Sequence, residues 1–99
     1  MEIRMDGRVA LITGGSKGLG YAMGLKFAES GAQVALAART KAEVTQAALT
    51  IAQITGQKAI GYVCDVADAE DIKRLHQGVT TDFDRIDILV NNAGFAKAD

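Results

Sequence analysis

The segment LITGGSKGLG, residues 11–20, begins in an apolar run, and four of its last seven residues are glycine. Residues 9–12 are continuously apolar, which predicts a strand buried on both faces. Helical spacing of apolar residues follows at Leu19, Met23 and Phe27, with Ala22 and Ala28 beside them. Gly31 then stands where a glycine commonly terminates a helix. The segment therefore predicts a strand, a glycine-rich turn and a helix over residues 18–30.

The same alternation continues along the chain. Three further strand-like runs are residues 33–38, 59–64 and 86–90. Between them, Thr40 and Glu43 form a capping-box pattern that begins a helix ending at Gly56, and Asp68 is a good N-cap for another. The expected buried faces of these helices are Val44, Ala47 or Ala48, Ile51 and Ile54 in the first, and Ile72, Leu75, Val79 and Phe83 in the second.

Strands that alternate with helices through short connections predict an α/β fold with a parallel sheet between helices. Right-handed crossovers and a glycine-rich first turn favour the doubly wound, Rossmann-type dinucleotide-binding fold. We expect its N-terminal half, β-α-β-α-β-α-β, with strand order 3-2-1-4. The 99 residues make one domain at most.

Composition argues against several classes of partner. The net charge is −1 and the basic residues are scattered, whereas nucleic acids and anionic membranes require a clustered basic face. One cysteine, Cys64, and one histidine, His76, exclude an internal disulfide and disfavour a zinc site. The sequence has no signal-peptide pattern and no apolar run near the roughly 18 residues of a membrane span. We expect a cytoplasmic protein without a metal, with Cys64 buried and His76 solvated.

The glycine-rich loop has the features of a diphosphate site. The following helix begins with unpaired N–H groups and a partial positive charge, and glycines let a ligand approach the backbone. A P-loop is excluded because Gly20 is followed by Tyr21 rather than by Lys and then Ser or Thr. The spacing Gly14-x-x-x-Gly18-x-Gly20 also departs from G-x-G-x-x-G, so glycines that serve packing alone are the alternative at this point.

Three motifs together resemble those of one family. Residues 13–20, TGGSKGLG, are similar to the T-G-x-x-x-G-x-G loop of the classical short-chain dehydrogenases/reductases. The NNAG run at residues 91–94 resembles that family's motif after the fourth strand, and Asp65-Val66 resembles its pair after the third. The resemblance covers nearly the whole chain. It implies that residues 1–99 are the N-terminal, cofactor-binding portion of a longer oxidoreductase domain.

The resemblance also implies roles for backbone and side-chain groups. Gly14 lines the turn, and the backbone groups of Gly18 and Leu19 lie near the pyrophosphate of a nicotinamide dinucleotide. Gly20 packs the helix close to the strand. Asp65 accepts from the adenine amino group and the Val66 N–H meets a ring nitrogen. A turn or cap role is the structural alternative for Asp65.

The fourth strand contributes the other half of the implied site. By the resemblance, Asn92, Ala93 and Gly94 pass beside the ribose and the nicotinamide. Thr13 and Asn91 are expected to tie neighbouring strands together, which is a structural role.

The end of the second strand predicts which dinucleotide binds. An NAD site commonly has an acidic residue about 20 positions past the glycines, but residues 37–40 read AART. Arg39 offers a planar donor fork suited to a 2′-phosphate, and Lys17 can approach from the glycine loop. Ser16 and Thr40 add hydroxyl donors. We therefore predict NADP(H), with NAD(H) less favoured; the alternative is that Arg39 and Lys17 are ordinary surface charges.

Catalytic residues are not found in this sequence. The resemblance implies general acid–base catalysis by a Tyr with a Lys four positions later. Tyr21 is followed at that distance by Leu25, and Tyr62 by Val66, so neither fits. We assign no catalytic residue and expect the Tyr/Lys pair, the substrate pocket and the oligomer-forming helices of a complete enzyme to lie beyond residue 99.

The expected function is that of an NADP(H)-dependent oxidoreductase that interconverts a small-molecule alcohol and a carbonyl compound. Two alternatives are a non-catalytic NADP(H)-binding module and a truncated, inactive remnant. A nucleic-acid or methyl-transfer role on a similar scaffold is disfavoured by the missing basic face and by the NNAG run. A homo-oligomer is expected only for a complete enzyme.

Overall fold

The computed structural model describes residues 4–92 of the chain. In that range the elements are β1 Val9–Thr13, α1 Gly18–Glu29, β2 Gln33–Ala38, α2 Lys41–Thr55, β3 Ala59–Val63, α3 Ala69–Phe83 and β4 Ile88–Asn91. The four strands of the described residues form one parallel sheet in the order β3-β2-β1-β4. The predicted fold class and strand order are therefore confirmed.

Helices cover both faces of the central strands, and apart from Thr13 and Gln33 at their ends those strands are apolar. All five residues of β1 are buried. Leu11 and Ala35 point into a cluster on the α3 side, whereas Ile12 and Leu36 point into one shared with α1 and α2. Successive strand residues face opposite sides of a sheet, so a continuous apolar run supplies both clusters.

Helix α1 presents small residues to the sheet. Its buried residues are Gly20, Gly24 and Ala28. A Cβ atom on Gly24 would lie 2.9 Å from Cδ2 of Leu36, so the helix backbone itself packs against β2. The larger apolar row that predicts the helix lies at the margin of this face: Met23 and Phe27 are half-buried against the core, whereas Leu19 is 68% exposed.

The expected buried faces of α2 and α3 are correct except at one end of each. Ile54 is 59% exposed and Ile72 is 37% exposed. The buried residues of α2 end at Ile51, and four residues later Thr55 is half-buried, so Ile54 lies beside this row rather than in it. The α3 row of Leu75, Val79 and Phe83 has a spacing of four, which places Asp71 and not Ile72 one turn earlier.

Strand ends and helix starts meet at one edge of the sheet. Because the strands are parallel, the loops after β1, β2 and β3 and the residue after β4 all lie at the carboxyl edge. Strand β1 is where the strand order reverses: β2 and then β3 lie on one side of it in the sheet, and β4 lies on the other. Ligands of doubly wound folds bind at such a switch point. Among residues 4–92, no helix combines the length and the apolar character needed to span a membrane.

Candidate functional site

The turn between β1 and α1 is built on left-handed glycines. Gly14 has φ +69° and Gly18 has φ +62°, a conformation that residues with a Cβ adopt at a cost. The N–H groups of Gly14 and Gly15 both donate to the Ala37 carbonyl oxygen, at 2.7 and 3.2 Å. The turn is thereby fastened to the end of β2.

The first turn of α1 touches the glycine loop so closely that only a glycine fits. A Cβ atom on Gly20 would collide with the carbonyl oxygen of Gly14 and lie 2.8 Å from Nδ2 of Asn92. Asn92 Nδ2 donates to the same Gly14 oxygen at 3.2 Å. The glycine turn, the start of α1 and the end of β4 therefore form one packed unit.

The N-terminus of α1 is open to a ligand. Its N-cap residue, Lys17, makes no side-chain capping bond, and its first turn contains no acidic residue. A Cβ atom on Gly18 would meet nothing within 4 Å, so space remains above the turn. The first N–H groups of a helix have no intrahelical acceptor and carry a partial positive charge. This end of α1 suits an anion.

The N-terminus of α2 is also without a side-chain cap. Thr40 is the N-cap residue but its hydroxyl makes no capping bond, so the predicted capping box with Glu43 is wrong. The Glu43 carboxylate instead lies 3.8 Å from Lys17 Nζ, across the gap between the two turns. Arg39 and Thr40 are exposed at the same place. Cationic groups and one carboxylate thus share the start of α2.

Helix α3 differs from α1 and α2 because a side chain caps its N-terminus. Its N-cap, Asp68, accepts from the Glu70 N–H at 2.9 Å, as the sequence predicts. The chain itself thus satisfies one of the N–H groups at this helix start. The helices that begin without a side-chain cap among residues 4–92 are α1 and α2, which follow β1 and β2.

The loop after β3 is held by two carboxylates. Asp65 Oδ1 accepts from the Ala67 N–H at 3.0 Å, so the turn role considered as the alternative for Asp65 is present. The Asp65 N–H donates to Asp71 Oδ2 at 3.0 Å. Val66 is half-buried and packs against the α3-side core. The backbone of both loop residues is consequently held in place beside the carboxyl edge.

Asp71 is a site neighbour that sequence reasoning missed. Its carboxylate accepts from the Asp65 N–H and from Arg74. The hydrogen bond from the Asp65 backbone, and then the one from Arg74, hold the pKa of Asp71 below its ordinary value. Glu43 was missed in the same way. Both are acidic residues in first helical turns, a position that the sequence explains equally well by capping or by the helix dipole.

Thr13 and Asn91 join β1 to β4, which is the structural role predicted for them. The Thr13 hydroxyl donates to Asn91 Oδ1 at 3.2 Å and to the Val90 carbonyl at 3.4 Å. Asn92 follows at the carboxyl edge. Ala93 and Gly94, also expected in the site, lie outside the described residues.

Neither tyrosine has the environment of a catalytic base. The Tyr62 hydroxyl donates to Asp82 Oδ2 at 2.7 Å. Burial and then this carboxylate raise the pKa of Tyr62, which opposes the ionisation that proton transfer requires. Tyr21 packs against the core shared by α1 and α2. Cys64 is buried and His76 is exposed, as expected. No cluster of His, Cys, Asp or Glu suited to a metal occurs in residues 4–92.

A groove of about 330 Å³ lies at the opposite, amino edge of the sheet. Its charged groups make contacts within the chain. Lys58 Nζ donates to the Asp82 carbonyl and lies 4.5 Å over the Phe83 ring. Arg85 donates to the Asp87 carboxylate at 2.9 Å. These groups stabilise the fold at that edge, and the features suited to an anion lie at the other.

The predicted site residues among 4–92 therefore gather at the carboxyl edge of the sheet. They come from the turn after β1, the turn after β2, the loop after β3 and the end of β4: Gly14, Ser16, Lys17, Gly18, Leu19, Gly20, Arg39, Thr40, Asp65, Val66 and Asn92. The arrangement offers two open helix starts, two basic side chains and one loop of fixed backbone.

Known proteins share this sequence pattern. A model of the short chain dehydrogenase family matches residues 8–99. The D-threitol dehydrogenase of Mycolicibacterium smegmatis is 42% identical over 98 residues, which cover 97% of this chain and 36% of that protein. The chain spans only about a third of the length of such curated relatives, from 27% to 36% in the examples compared.

Solved structures share the fold. The L-sorbose reductase of Gluconobacter frateurii, in complex with NADPH and L-sorbose, superimposes with a TM-score of 0.90 at 36% identity, covering 93% of this chain and 35% of that one. An NAD⁺-bound xylitol dehydrogenase superimposes with a TM-score of 0.81 at 33% identity, covering 85% and 32%. Structures that hold either nicotinamide dinucleotide therefore contain the same arrangement of strands and helices.

Proposed function

The chain belongs to the short chain dehydrogenase family, and from that membership we propose that it supplies the nicotinamide-dinucleotide site of an oxidoreductase. The reaction is the interconversion of an alcohol and a carbonyl compound. Similarity to proteins named for D-threitol dehydrogenation and L-sorbose reduction supports this class of reaction. The bound nicotinamide supplies or accepts the hydride. We propose further that residues 1–99 are the N-terminal portion of the domain.

The observation that carries the proposal is the pair of helix starts without side-chain caps. The N-terminus of α1, above the open glycine turn, receives the pyrophosphate through the backbone of Gly18 and Leu19. Gly14 and Gly20 keep the turn tight enough for that approach. A side chain on either glycine would strain or displace the backbone that binds the diphosphate.

The loop after β3 and the end of β4 bind the two bases. Asp65 keeps one carboxylate oxygen in its turn with Ala67 and offers the other to the adenine amino group. The neighbouring Val66 N–H donates to an adenine ring nitrogen. Asn92 is anchored on Gly14 at the end of β4, where it contacts the ribose and nicotinamide.

The preferred dinucleotide is NADP(H). The 2′-phosphate lies at the start of α2, where Arg39 and Lys17 neutralise its charge and the hydroxyls of Ser16 and Thr40 donate to it. Support comes from the exposed cationic groups on both sides of an uncapped helix start. The related structures contain NADPH in one case and NAD⁺ in another, so the choice depends on these side chains.

The test is a calorimetric titration of the purified chain with NADPH and with NADH. We expect NADPH to bind at least about tenfold more tightly, because hydrogen bonds to charged groups are the stronger ones. Lys26→Asp, which changes an exposed basic residue at the far end of α1, is the control for charge away from the site and should leave both affinities unchanged. Equal affinities would contradict the NADP(H) assignment, and binding of neither would contradict the site.

A further inference from the structure

One acidic side chain stands beside the groups to which we assign the 2′-phosphate. Glu43 Oε1 lies 3.8 Å from Lys17 Nζ, and the two side chains are 46% and 80% exposed. Glu43 is in the first turn of α2, but no capping bond from Thr40 accompanies it there. An exposed pair of this kind is screened by solvent and weak, so a ligand with greater charge can break it.

We propose that Glu43 is a specificity-determining residue that weakens binding of the 2′-phosphate and so narrows the preference for NADP(H) over NAD(H). The inference rests on the proposed function, in which Lys17 and Arg39 bind that phosphate. Glu43 acts in two ways: it is the ion-pair partner that Lys17 must leave, and it repels the phosphate that takes its place.

The balance of charge supports this role. A 2′-phosphate carries about −1.5 to −2 charges at neutral pH, so it replaces the single charge of Glu43 as the partner of Lys17. The carboxylate that is left unpaired remains on the first turn of α2, next to the bound phosphate. NAD(H) has an uncharged 2′-hydroxyl at this position, so Glu43 neither repels it nor loses Lys17 to it, and the effect of Glu43 on the affinity for NAD(H) is much smaller.

The experiment compares two nucleotide fragments that differ by this phosphate alone. Calorimetry on the full chain measures the affinities for 2′,5′-ADP and for 5′-AMP, in the unsubstituted protein and in Glu43→Gln. We expect the variant to bind 2′,5′-ADP about two- to fivefold more tightly, the range set by exposed ion pairs, and to bind 5′-AMP unchanged.

The matched control is Glu29→Gln. Glu29 is exposed and ends α1, so the variant removes the same charge at the amino edge, away from the proposed site. We expect no change for either fragment. The proposal would be overturned if the affinity rose equally in this control, or if it rose equally for both fragments in Glu43→Gln. Either result would mean that the effect comes from the net charge of the protein. An unchanged affinity of Glu43→Gln for 2′,5′-ADP would also overturn it.

A double-mutant cycle tests the competition for Lys17 directly. Lys17→Met should lose more affinity for 2′,5′-ADP in the Glu43→Gln background than in the unsubstituted protein, because Glu43 no longer holds the lysine. Equal losses in both backgrounds would overturn the ion-pair mechanism. Loss of helix stability in a variant weakens both fragments alike, so the ratio of the two affinities stays informative.

Failure of the proposed function has a different signature. If the unsubstituted chain binds the two fragments equally, no 2′-phosphate site exists and the NADP(H) assignment fails together with the role of Glu43. If that chain prefers 2′,5′-ADP and Glu43→Gln leaves the preference as it is, only the role of Glu43 fails.

Discussion

Asn92 Nδ2 donates to the carbonyl oxygen of Gly14 at 3.2 Å, which fastens the end of β4 to the turn after β1. The same oxygen faces the Cα of Gly20 so closely that no Cβ could be accommodated there. A single carbonyl group thus fixes the relative positions of the glycine turn, the start of α1 and the last strand of the described residues. The geometry of the proposed pyrophosphate site depends on this contact.

Gly20→Ala should therefore reduce both stability and dinucleotide affinity. The added methyl group meets backbone atoms that cannot rotate away, so α1 must shift. We expect about 1–3 kcal/mol of destabilisation in urea denaturation, the range for an overpacked site. The control is Gly78→Ala, since Gly78 also lies within a helix, and the nearest atom to its Cβ position is in the Tyr62 side chain, at 3.3 Å, rather than in the backbone. A loss in Gly20→Ala no greater than in this control would contradict the packing argument.

Arg39→Asp should reverse the proposed cofactor preference. The substitution exchanges a donor for a carboxylate that repels a 2′-phosphate and accepts from a 2′-hydroxyl. We expect the affinity for NADPH to fall about 10- to 100-fold, in line with the loss of hydrogen bonds to a charged group, and that for NADH to hold or rise. Calorimetry measures both. A ratio of affinities that does not move would mean that Arg39 is an ordinary surface charge.

Acid should destabilise the protein partly through Asp71. Hydrogen bonds hold the native pKa of Asp71 below its ordinary value of 3.8, so the unfolded chain binds its proton first as the pH falls. The stabilisation is complete above that ordinary value and is lost as the pH decreases through the native pKa. Urea midpoints measured between about pH 7 and pH 3 should fall less steeply in Asp71→Asn than in the unsubstituted protein.

The control for this acid dependence is Glu29→Gln, an exposed carboxylate on the last residue of α1. It measures how far the loss of a surface carboxylate alone changes the fall of the urea midpoint with pH, and Asp71→Asn should flatten that fall more. Asp87 adds a parallel contribution that neither variant removes, because the Val9 N–H and then Arg85 also lower its pKa. If the urea midpoint falls with pH equally in Asp71→Asn and in the unsubstituted protein, the assigned role of the hydrogen bond between Asp65 and Asp71 is wrong.

Tyr62 should ionise only at strongly alkaline pH. Burial and the bond to Asp82 raise its pKa above the ordinary 10.0, so the native state keeps a proton that the unfolded state loses. Stability is therefore unaffected below about pH 10 and falls as the pH rises further. Ultraviolet titration should show a phenol transition above the ordinary range that is absent in Tyr62→Phe. Persistence of that transition in the variant would contradict its assignment to Tyr62.

Patterns local to the chain are sufficient for most of the fold. A strand buried between helices requires a continuous apolar run, and a helix packed on a sheet requires an apolar stripe, so β1, β2 and their helices are visible in the sequence. The glycine turn is local too, since positive φ at Gly14 and Gly18 is a property of single residues. The candidate site follows from the order of these elements.

The face that each helix turns inward, and the contacts between loops, depend on residues from other elements that pack against them. Helix α1 turns Gly20 and Gly24 inward because the carbonyl of Gly14 and the side chain of Leu36 leave room for nothing larger. Local periodicity favours the row of larger residues instead.

Features within one helix or strand can be predicted from the sequence, whereas contacts between residues far apart along the chain depend on the folded structure. Spacing within one helix or strand repeats every few residues and is present in the sequence itself. The ion pair of Lys17 with Glu43 joins two different turns, and it forms because parallel strands bring their carboxyl ends to one edge. In the sequence, Glu43 fits a capping box with Thr40. In the folded chain, a lysine from the neighbouring turn is within reach, and the carboxylate pairs with it.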